Sequence, residues 1–341
     1  MTTRHPASTP PFGAQSPGAQ IPATAPETDV DVVIVGGGAG GLSAALTLAR
    51  ARRRTLVIDA GAPRNAPAAG AHGLLGLEGI PPLELLERGR AEVRAYGGDI
   101  RPGTVSDIEA SPGGHHFTVH VGEGAEHVAI TARRIILATG LTDELPDIPG
   151  VRERWGREVL HCPYCHGWEV RDQPIGILAT GPNSVHQARL FHQWSRDIVF
   201  FTREQPLAAE TREEFAALGI RIIEAAVAGL DIADDALAGV RLEDGTLVPR
   251  TAVVVAPAMH ANVAACASLN LAITEIPMGT FITADPTGQT STPGVWVVGN
   301  AADLGAQVGA AAAAGVRASA VVNAHLVDED AAAAVRERQK K

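Results

Sequence analysis

Residues 31–41 read Asp31-Val32-Val33-Ile34-Val35-Gly36-Gly37-Gly38-Ala39-Gly40-Gly41. The β-branched run is a short buried strand, because it is continuously apolar and bounded by a glycine cluster. Leu42 to Arg54 follows with apolar residues at helical spacing, so the stretch is strand, turn, helix. Working outward, Thr55-Leu56-Val57-Ile58 makes a second strand that ends in Asp59, roughly 20 positions beyond the first glycine. A lone G-x-G-x-x-G is a weak signal. Set between a strand and a helix, with an acid closing the next strand, it is the pattern of a dinucleotide-binding unit. Gly36 permits the tight turn, Gly38 (followed by Ala39) lets backbone approach a pyrophosphate, and Gly41 lets the helix pack closely on the strand. The N–H groups at the helix start face the phosphates. Asp59 accepts from a ribose hydroxyl, and its charge repels a 2′-phosphate.

A second unit of this kind begins at Pro174. Ile175 to Ala179 is a strand, Thr180-Gly181-Pro182-Asn183-Ser184 a turn, Val185 to Trp194 a helix, and Ile198 to Phe201 the next strand. Its glycine pattern is degraded, with Ala179 where the first glycine belongs and Ser184 where the third belongs. Val253 to Ala256 closes that unit. Ile135-Ile136-Leu137-Ala138-Thr139-Gly140 and Gly294 to Asn300 are further strands running into small-residue turns, and Ala301 to Leu326 is an Ala-rich helix.

A chain of 341 residues is long enough for two domains on a prior of about 150 residues each. Aromatics are only 4%, so cores must come from Ala, Val, Leu and Ile. The formal charge of −10 argues against a nucleic-acid partner, and the basic run Arg50 to Arg54 reads as solvated surface. Residues 1–28 are rich in Pro, Thr, Ala and Ser and read as a disordered tail, and residues 331–341 as a charged C-terminal tail. No secretory h-region and no run of 18 apolar residues is present, so the expectation is a cytoplasmic protein with no membrane partner.

His161-Cys162-Pro163-Tyr164-Cys165-His166-Gly167-Trp168-Glu169 carries the remaining chemistry. It has three readings: C-x-x-C-H haem attachment, half of a zinc site, or a redox disulfide. Haem attachment is weakened by the lack of an export signal. Zinc is weakened because no second C-x-x-C or H-x-x-x-H pair supplies the other ligands. As a metal site the stretch is therefore not supported.

These pieces, in this order, resemble the low-molecular-weight thioredoxin reductase family of flavoproteins over roughly residues 29–330. The resemblance rests on Gly36 to Gly41, the Ala138-Thr139-Gly140 segment, the C-x-x-C, and Gly294 to Asp303. It implies an α/β fold of two Rossmann-like, three-layer β/β/α nucleotide-binding domains, the second inserted into the first. FAD is then held by residues 29–148 and 260–330, residues 149–259 form an NAD(P)-binding-like insert carrying the C-x-x-C, and the protein is a homodimer. Cys165 becomes the flavin-proximal cysteine and Cys162 the one that exchanges with substrate. His166, whose ordinary pKa is about 6.5, becomes the base that raises the thiolate fraction of a thiol titrating near about 8.5. Thr139, Gly140, Asn300, Asp303, Gln307 and Val308 join the glycine loop and Asp59 around FAD. Asn300 stands where the family has an Asp contacting the ribityl chain, with Asp303 as a nearby substitute. The dipole of the helix opened by Gln307 and Val308 favours an anionic reduced flavin.

Three departures narrow the resemblance. His166 replaces the acid that usually follows the second cysteine, the second glycine motif is damaged, and Phe201-Thr202-Arg203-Glu204 offers a single arginine to an NADPH 2′-phosphate. All three are similar to the branch containing the gliotoxin and holomycin dithiol oxidases. The leading expectation is oxidation of a small-molecule dithiol with O2 as acceptor. NADPH-dependent reduction of a thioredoxin-like protein disulfide is the alternative, and a non-enzymatic redox-sensing flavoprotein a third reading. Trp168 reads as the wall of a substrate pocket or, the commoner place for such an aromatic, as core, and Cys266 as a buried bystander. His161 reads as an assisting base or a packing residue, and His72 matches the branch's pattern without an assigned role.

Overall fold

The computed structural model describes residues 30–111, 116–122, 127–181 and 183–340, so the tail expected over 1–28 lies outside the described residues. The chain opens with β1 (Val30–Val35), α1 (Ala39–Arg50), β2 (Thr55–Asp59), α2 (Pro82–Ala95), β3 (Asp99–Pro102), β4 (Val105–Ala110), β5 (Phe117–Val121), β6 (Val128–Leu137) and β7 (Leu141–Glu144). It orders the strands β3-β2-β1-β6-β5-β4, parallel as far as β6 and antiparallel beyond it. β1 is buried along its whole length, as a parallel strand covered on both faces requires. Val32 and Ile34 pack with Leu42, Ala45 and Leu48 of α1. Val33 and Val35 face Ile108, Phe117 and Val119 of the β4–β5 ribbon.

The middle of the chain builds a second sheet from α3 (Val151–Arg154), β8 (Val159–Leu160), α4 (Pro163–His166), β9 (Ile175–Leu178), α5 (Asn183–Phe191), β10 (Ile198–Phe201), α6 (Ala209–Leu218), β11 (Arg221–Ile223), β12 (Val227–Ala233), β13 (Ala236–Leu242), β14 (Leu247–Pro249) and β15 (Ala252–Val254). Its parallel order is β11-β10-β9-β15-β8. Phe191 of α5 and Phe215 of α6 fill one face, and the antiparallel β12–β14 meander covers the other through Leu230, Val240 and Val248. Both sheets are therefore sandwiched between helices and an antiparallel β layer, the three-layer α/β architecture expected.

The chain then returns through β16 (Ala258–Ala261), β17 (Ile273–Ile276), β18 (Gly279–Ile282), β19 (Val295–Val297) and α7 (Val308–Gln339). β19 joins the first sheet beside β6, and β16 lies antiparallel to β7 with Ala258 opposite Glu144 and Ala261 opposite Leu141. The strand that leaves the first unit and the strand that re-enters it are thus neighbours.

Helix ends depart from expectation for physical reasons. α1 stops at Arg50, because Arg52 takes a left-handed conformation (φ 63°) that turns the chain into β2. Arg53 then bonds Asn323 (2.7 Å) and Asp330 (2.6 Å) instead of lying free in solvent. Arg133 and Arg134 hold Asp330 (2.6 Å) and Glu329 (2.7 Å). These pairs brace α7, which begins at Val308 rather than Ala301 and runs to Gln339, so the segment expected as a charged tail from residue 331 is the end of this helix.

α7 is, among the described residues, the helix long and apolar enough to cross a bilayer, with mean hydropathy 1.3 over its most apolar stretch. In this fold it lays Gly315, Ala318, Ser319 and Val322 on the rest of the first unit, and Ser319 Oγ donates to the Ala44 carbonyl (3.1 Å) and to the Gly315 carbonyl (2.7 Å). A Cβ on Gly315 would run into the backbone of Gly40 and Ala44. Gly-to-Ala changes inside helices ordinarily stabilise by about 1 kcal/mol. Gly315→Ala is expected to reverse that sign and destabilise by about 2 kcal/mol through overpacking, measured by denaturant unfolding.

Candidate active site

A cavity of about 680 Å³ runs from the glycine turn after β1 to the cysteine pair after β8. At one end Gly36 adopts φ 106°, where a side chain would also strike the Ala138 carbonyl. A Cβ on Gly41 would meet the Gly36 carbonyl, which is why α1 can sit so close to the turn. Gly38 is the opposite case: nothing lies within 4 Å of where its Cβ would be, and the space opens over the uncapped start of α1. Ala39 lines the same space. Two glycines have roles that the sequence reading did not assign. A Cβ on Gly37 would strike the Asp59 carboxylate, and Gly40 faces the Ala311 carbonyl of α7.

Asp59 accepts from the amides of Gly37 (3.2 Å) and Gly61 (3.1 Å) and from Arg90 Nη2 (2.9 Å). Burial opposes its ionisation, but the Arg90 hydrogen bond and the two amides outweigh that and hold the carboxyl below the usual carboxylate range. Arg90 lies on α2, and no spacing rule ties it to Asp59, so sequence gave no signal for it.

Gly140 turns at φ 68°, and the turn is fixed by Asn262, whose Nδ2 donates to the Thr139 carbonyl (2.9 Å) and whose amide donates to the Gly140 carbonyl (3.0 Å). Thr139 Oγ1 is buried without a partner in the wall of this cavity. An orphaned hydroxyl is costly unless a ligand satisfies it. Asn300, Gln307 and Val308 also line the cavity. Asn300 Nδ2 donates to the carbonyls of Asp303 (3.1 Å) and Ala306 (3.0 Å), which shapes the entrance to α7. Asp303 is exposed, and its carboxylate accepts from the Gly305 amide (2.9 Å) in the turn that leads to α7. The glycine cradle, the free helix start, Asp59 and the orphaned Thr139 hydroxyl fit FAD.

At the other end β8 delivers the chain to Cys162, whose carbonyl accepts from the amides of Cys165 (3.3 Å) and His166 (3.2 Å) and so nucleates the single turn α4. Cys162 and Cys165 are joined as a disulfide, with Cα atoms 5.3 Å apart. The pair sits beyond the carboxyl end of a parallel strand, where α/β sheets place their chemistry. Gly167 lets α4 lie on the Trp194 ring, which a Cβ there would strike. His166 is half-buried, and that burial, partly offset by the Glu169 carboxylate, keeps its pKa below the ordinary histidine value. It is a neutral acceptor at neutral pH. His161 is lowered likewise, by burial and then by the Arg64 charge. Gln187, buried and unremarkable in the sequence, donates to the carbonyls of His161 (3.1 Å) and Val255 (3.2 Å) and fixes that corner.

The second glycine loop is closed on itself. The buried Ser184 hydroxyl accepts from the amides of Thr180 (3.0 Å) and Gly181 (3.3 Å), and Arg203 donates to the Ala179 carbonyl (3.3 Å). Trp168, expected in the core, is 65% exposed beneath the Arg171 guanidinium, because α4 leaves it beyond the packed face. Cys266 is buried at the β4 side of the first sheet, and burial pushes its thiol up to about 11, so it is no nucleophile at neutral pH.

Comparison with known proteins agrees with this geometry. The family model for pyridine nucleotide-disulphide oxidoreductase matches residues 30–318. The thioredoxin reductase aclD of Aspergillus oryzae is 31% identical over 84% of this chain and 95% of its own. The thioredoxin reductase tcpT of Claviceps purpurea is 32% identical over 80% and 86%. Among solved structures, HlmI superposes with a TM-score of 0.85 at 47% identity, covering 92% of this chain and 97% of that one. An oxidoreductase from Agrobacterium tumefaciens does so with 0.82 at 36%, covering 88% and 99%. A dinucleotide cradle joined to a redox disulfide by one cavity, together with these matches, establishes that the chain belongs to the pyridine nucleotide-disulphide oxidoreductases, as a thioredoxin reductase-like, FAD-dependent thiol-disulfide oxidoreductase.

Proposed function

We propose that the protein oxidises a small-molecule dithiol to its disulfide, with O2 as the final acceptor, and works as a homodimer. The observation that carries this reading is the Ser184 hydroxyl, which occupies the loop amides that a nicotinamide cofactor's pyrophosphate would need. With Arg203 bonded to the Ala179 carbonyl and followed by Glu204, a 2′-phosphate also lacks a cationic cluster.

His166 takes the proton of one substrate thiol, and the thiolate attacks Cys162 Sγ. The Cys162–Cys165 bond breaks, a mixed disulfide forms and Cys165 leaves as a thiolate. The second substrate thiol attacks the substrate sulfur of the mixed disulfide and passes its proton to the departing Cys162 sulfur, which releases the cyclised disulfide and leaves Cys162 as a thiol. The substrate has lost two electrons and two protons, and the cysteine pair has gained the electrons. FAD, when bound, supplies a two-electron acceptor for the reduced pair and a route to O2, which leaves as H2O2.

The reverse direction, NADPH-driven reduction of a thioredoxin-like protein, is favoured by one observation, the names of the fungal relatives. Anaerobic mixing of the yellow holoprotein with dithiothreitol, NADPH and NADH separates the two. The expected result is bleaching by the dithiol alone, with colour and H2O2 returning in air. Rapid bleaching by NADPH would replace this reading with the reductase.

A further inference from the structure

The loop between β2 and α2 carries a histidine that no step above uses. Residues 71–80 are tied at the neck, where the Ala71 amide donates to the Ile80 carbonyl (2.8 Å) and the Gly79 amide to the Ala71 carbonyl (3.0 Å). Within this loop His72 Nδ1 bonds Glu78 Oε1 (2.7 Å), and the other Glu78 oxygen accepts from the Gly73 amide (2.9 Å). The ring is thereby oriented, and its Nε2 lies 3.5 Å from Glu169 Oε1. Glu169 belongs to the segment that follows α4, three residues after His166. His72 also lines the flavin cavity. One imidazole therefore links the unit that holds FAD to the segment that holds the disulfide.

We propose that His72 is a positioning residue for the redox pair: held by Glu78 on the unit that binds FAD, it secures Glu169 and thereby docks the segment that carries Cys165 and His166 against the cavity. This rests on the disulfide reading of the site and extends it to a Glu78–His72–Glu169 chain. Around His72 the titratable groups are Glu78 on its own loop and Glu169 and His166 on the cysteine segment. The entrance of α7 presents the neutral Gln307 toward Gly73. On the cysteine segment Arg171 is engaged by the Trp168 carbonyl (2.7 Å), and His161, farther along the cavity, faces Arg64 and His166. The two neighbours act on His166 with opposite sign: Glu169 favours its protonation and His72 disfavours it.

The coupling supplies a test that needs no turnover. The His166 ring is followed by NMR titration of oxidised holoprotein labelled in histidine, with wild type, His72→Asn, Glu169→Gln and the double variant compared. Glu169→Gln is expected to lower the His166 midpoint by about 0.5 unit, and the shift caused by His72→Asn to differ by about 0.5 unit between the wild-type and Glu169→Gln backgrounds, as action through Glu169 requires. An equal His72→Asn shift in both backgrounds, in proteins that retain flavin, would overturn the inference. Failure of the dithiol to bleach wild-type flavin would instead overturn the proposed direction of catalysis and leave the titration result standing.

Discussion

Replacing Cys165 by Ser is expected to leave a folded yellow protein whose flavin no dithiol reduces, with turnover down by at least about 10³-fold, the scale on which removing one member of a concerted catalytic set acts. The serine hydroxyl is nearly isosteric and α4 loses no backbone hydrogen bond, since its amide and not its sulfur bonds the Cys162 carbonyl. Chemistry is what disappears, because no disulfide remains to be attacked and no second thiolate to leave. Cys162→Ser should abolish oxidation as well, while the lone Cys165 stays beside the cavity. Cys266 cannot rescue either variant, since it lies in the core of the first sheet as a neutral thiol. Stopped-flow absorbance during anaerobic mixing with dithiothreitol reads the result directly. Full-rate bleaching in Cys165→Ser would refute the assignment of the pair.

The second large effect is expected at Gly38. Its φ of −75° is open to any residue, and the site of its Cβ is empty, so Gly38→Val should fold with little loss of stability. That empty volume is the approach path of a pyrophosphate to the start of α1. Filling it with a branched side chain is expected to cost about 3 kcal/mol of flavin affinity, or about 10²-fold. Gly41→Val is the contrast, because its Cβ would strike the Gly36 carbonyl and the variant should lose its fold together with its flavin. Unfolding curves beside flavin-to-protein absorbance ratios distinguish the two. Wild-type flavin content in Gly38→Val would show that the cofactor does not use this cradle.

What could be read in the sequence divides along the range of the interactions involved. The strand, glycine turn, helix and acid of residues 30–59 are local, and period and spacing reveal them. The residues that finish the site reach it from far along the chain, as Arg90 reaches Asp59 and Asn262 reaches the Thr139–Gly140 turn. Neither has a motif, since an arginine on a helix face and an asparagine after a strand are ordinary on any surface. The ion pairs of Arg53, Arg133 and Arg134 stop at Glu329 and Asp330, and residues 331–339 continue α7 beyond them as an exposed helical end, which charge-rich composition alone does not distinguish from a tail.

The adjacency of β7 and β16 bears on motion. A body attached by one strand can pivot in any direction, and one attached by two distant strands is immobilised. Two attachments laid side by side and hydrogen-bonded, Leu141 to Ala261 through Glu144 to Ala258, define a single axle. Any large excursion of the sheet that carries the cysteines is therefore restricted to a swing about that line, so the sulfurs travel along an arc toward or away from the cavity and keep their internal geometry throughout.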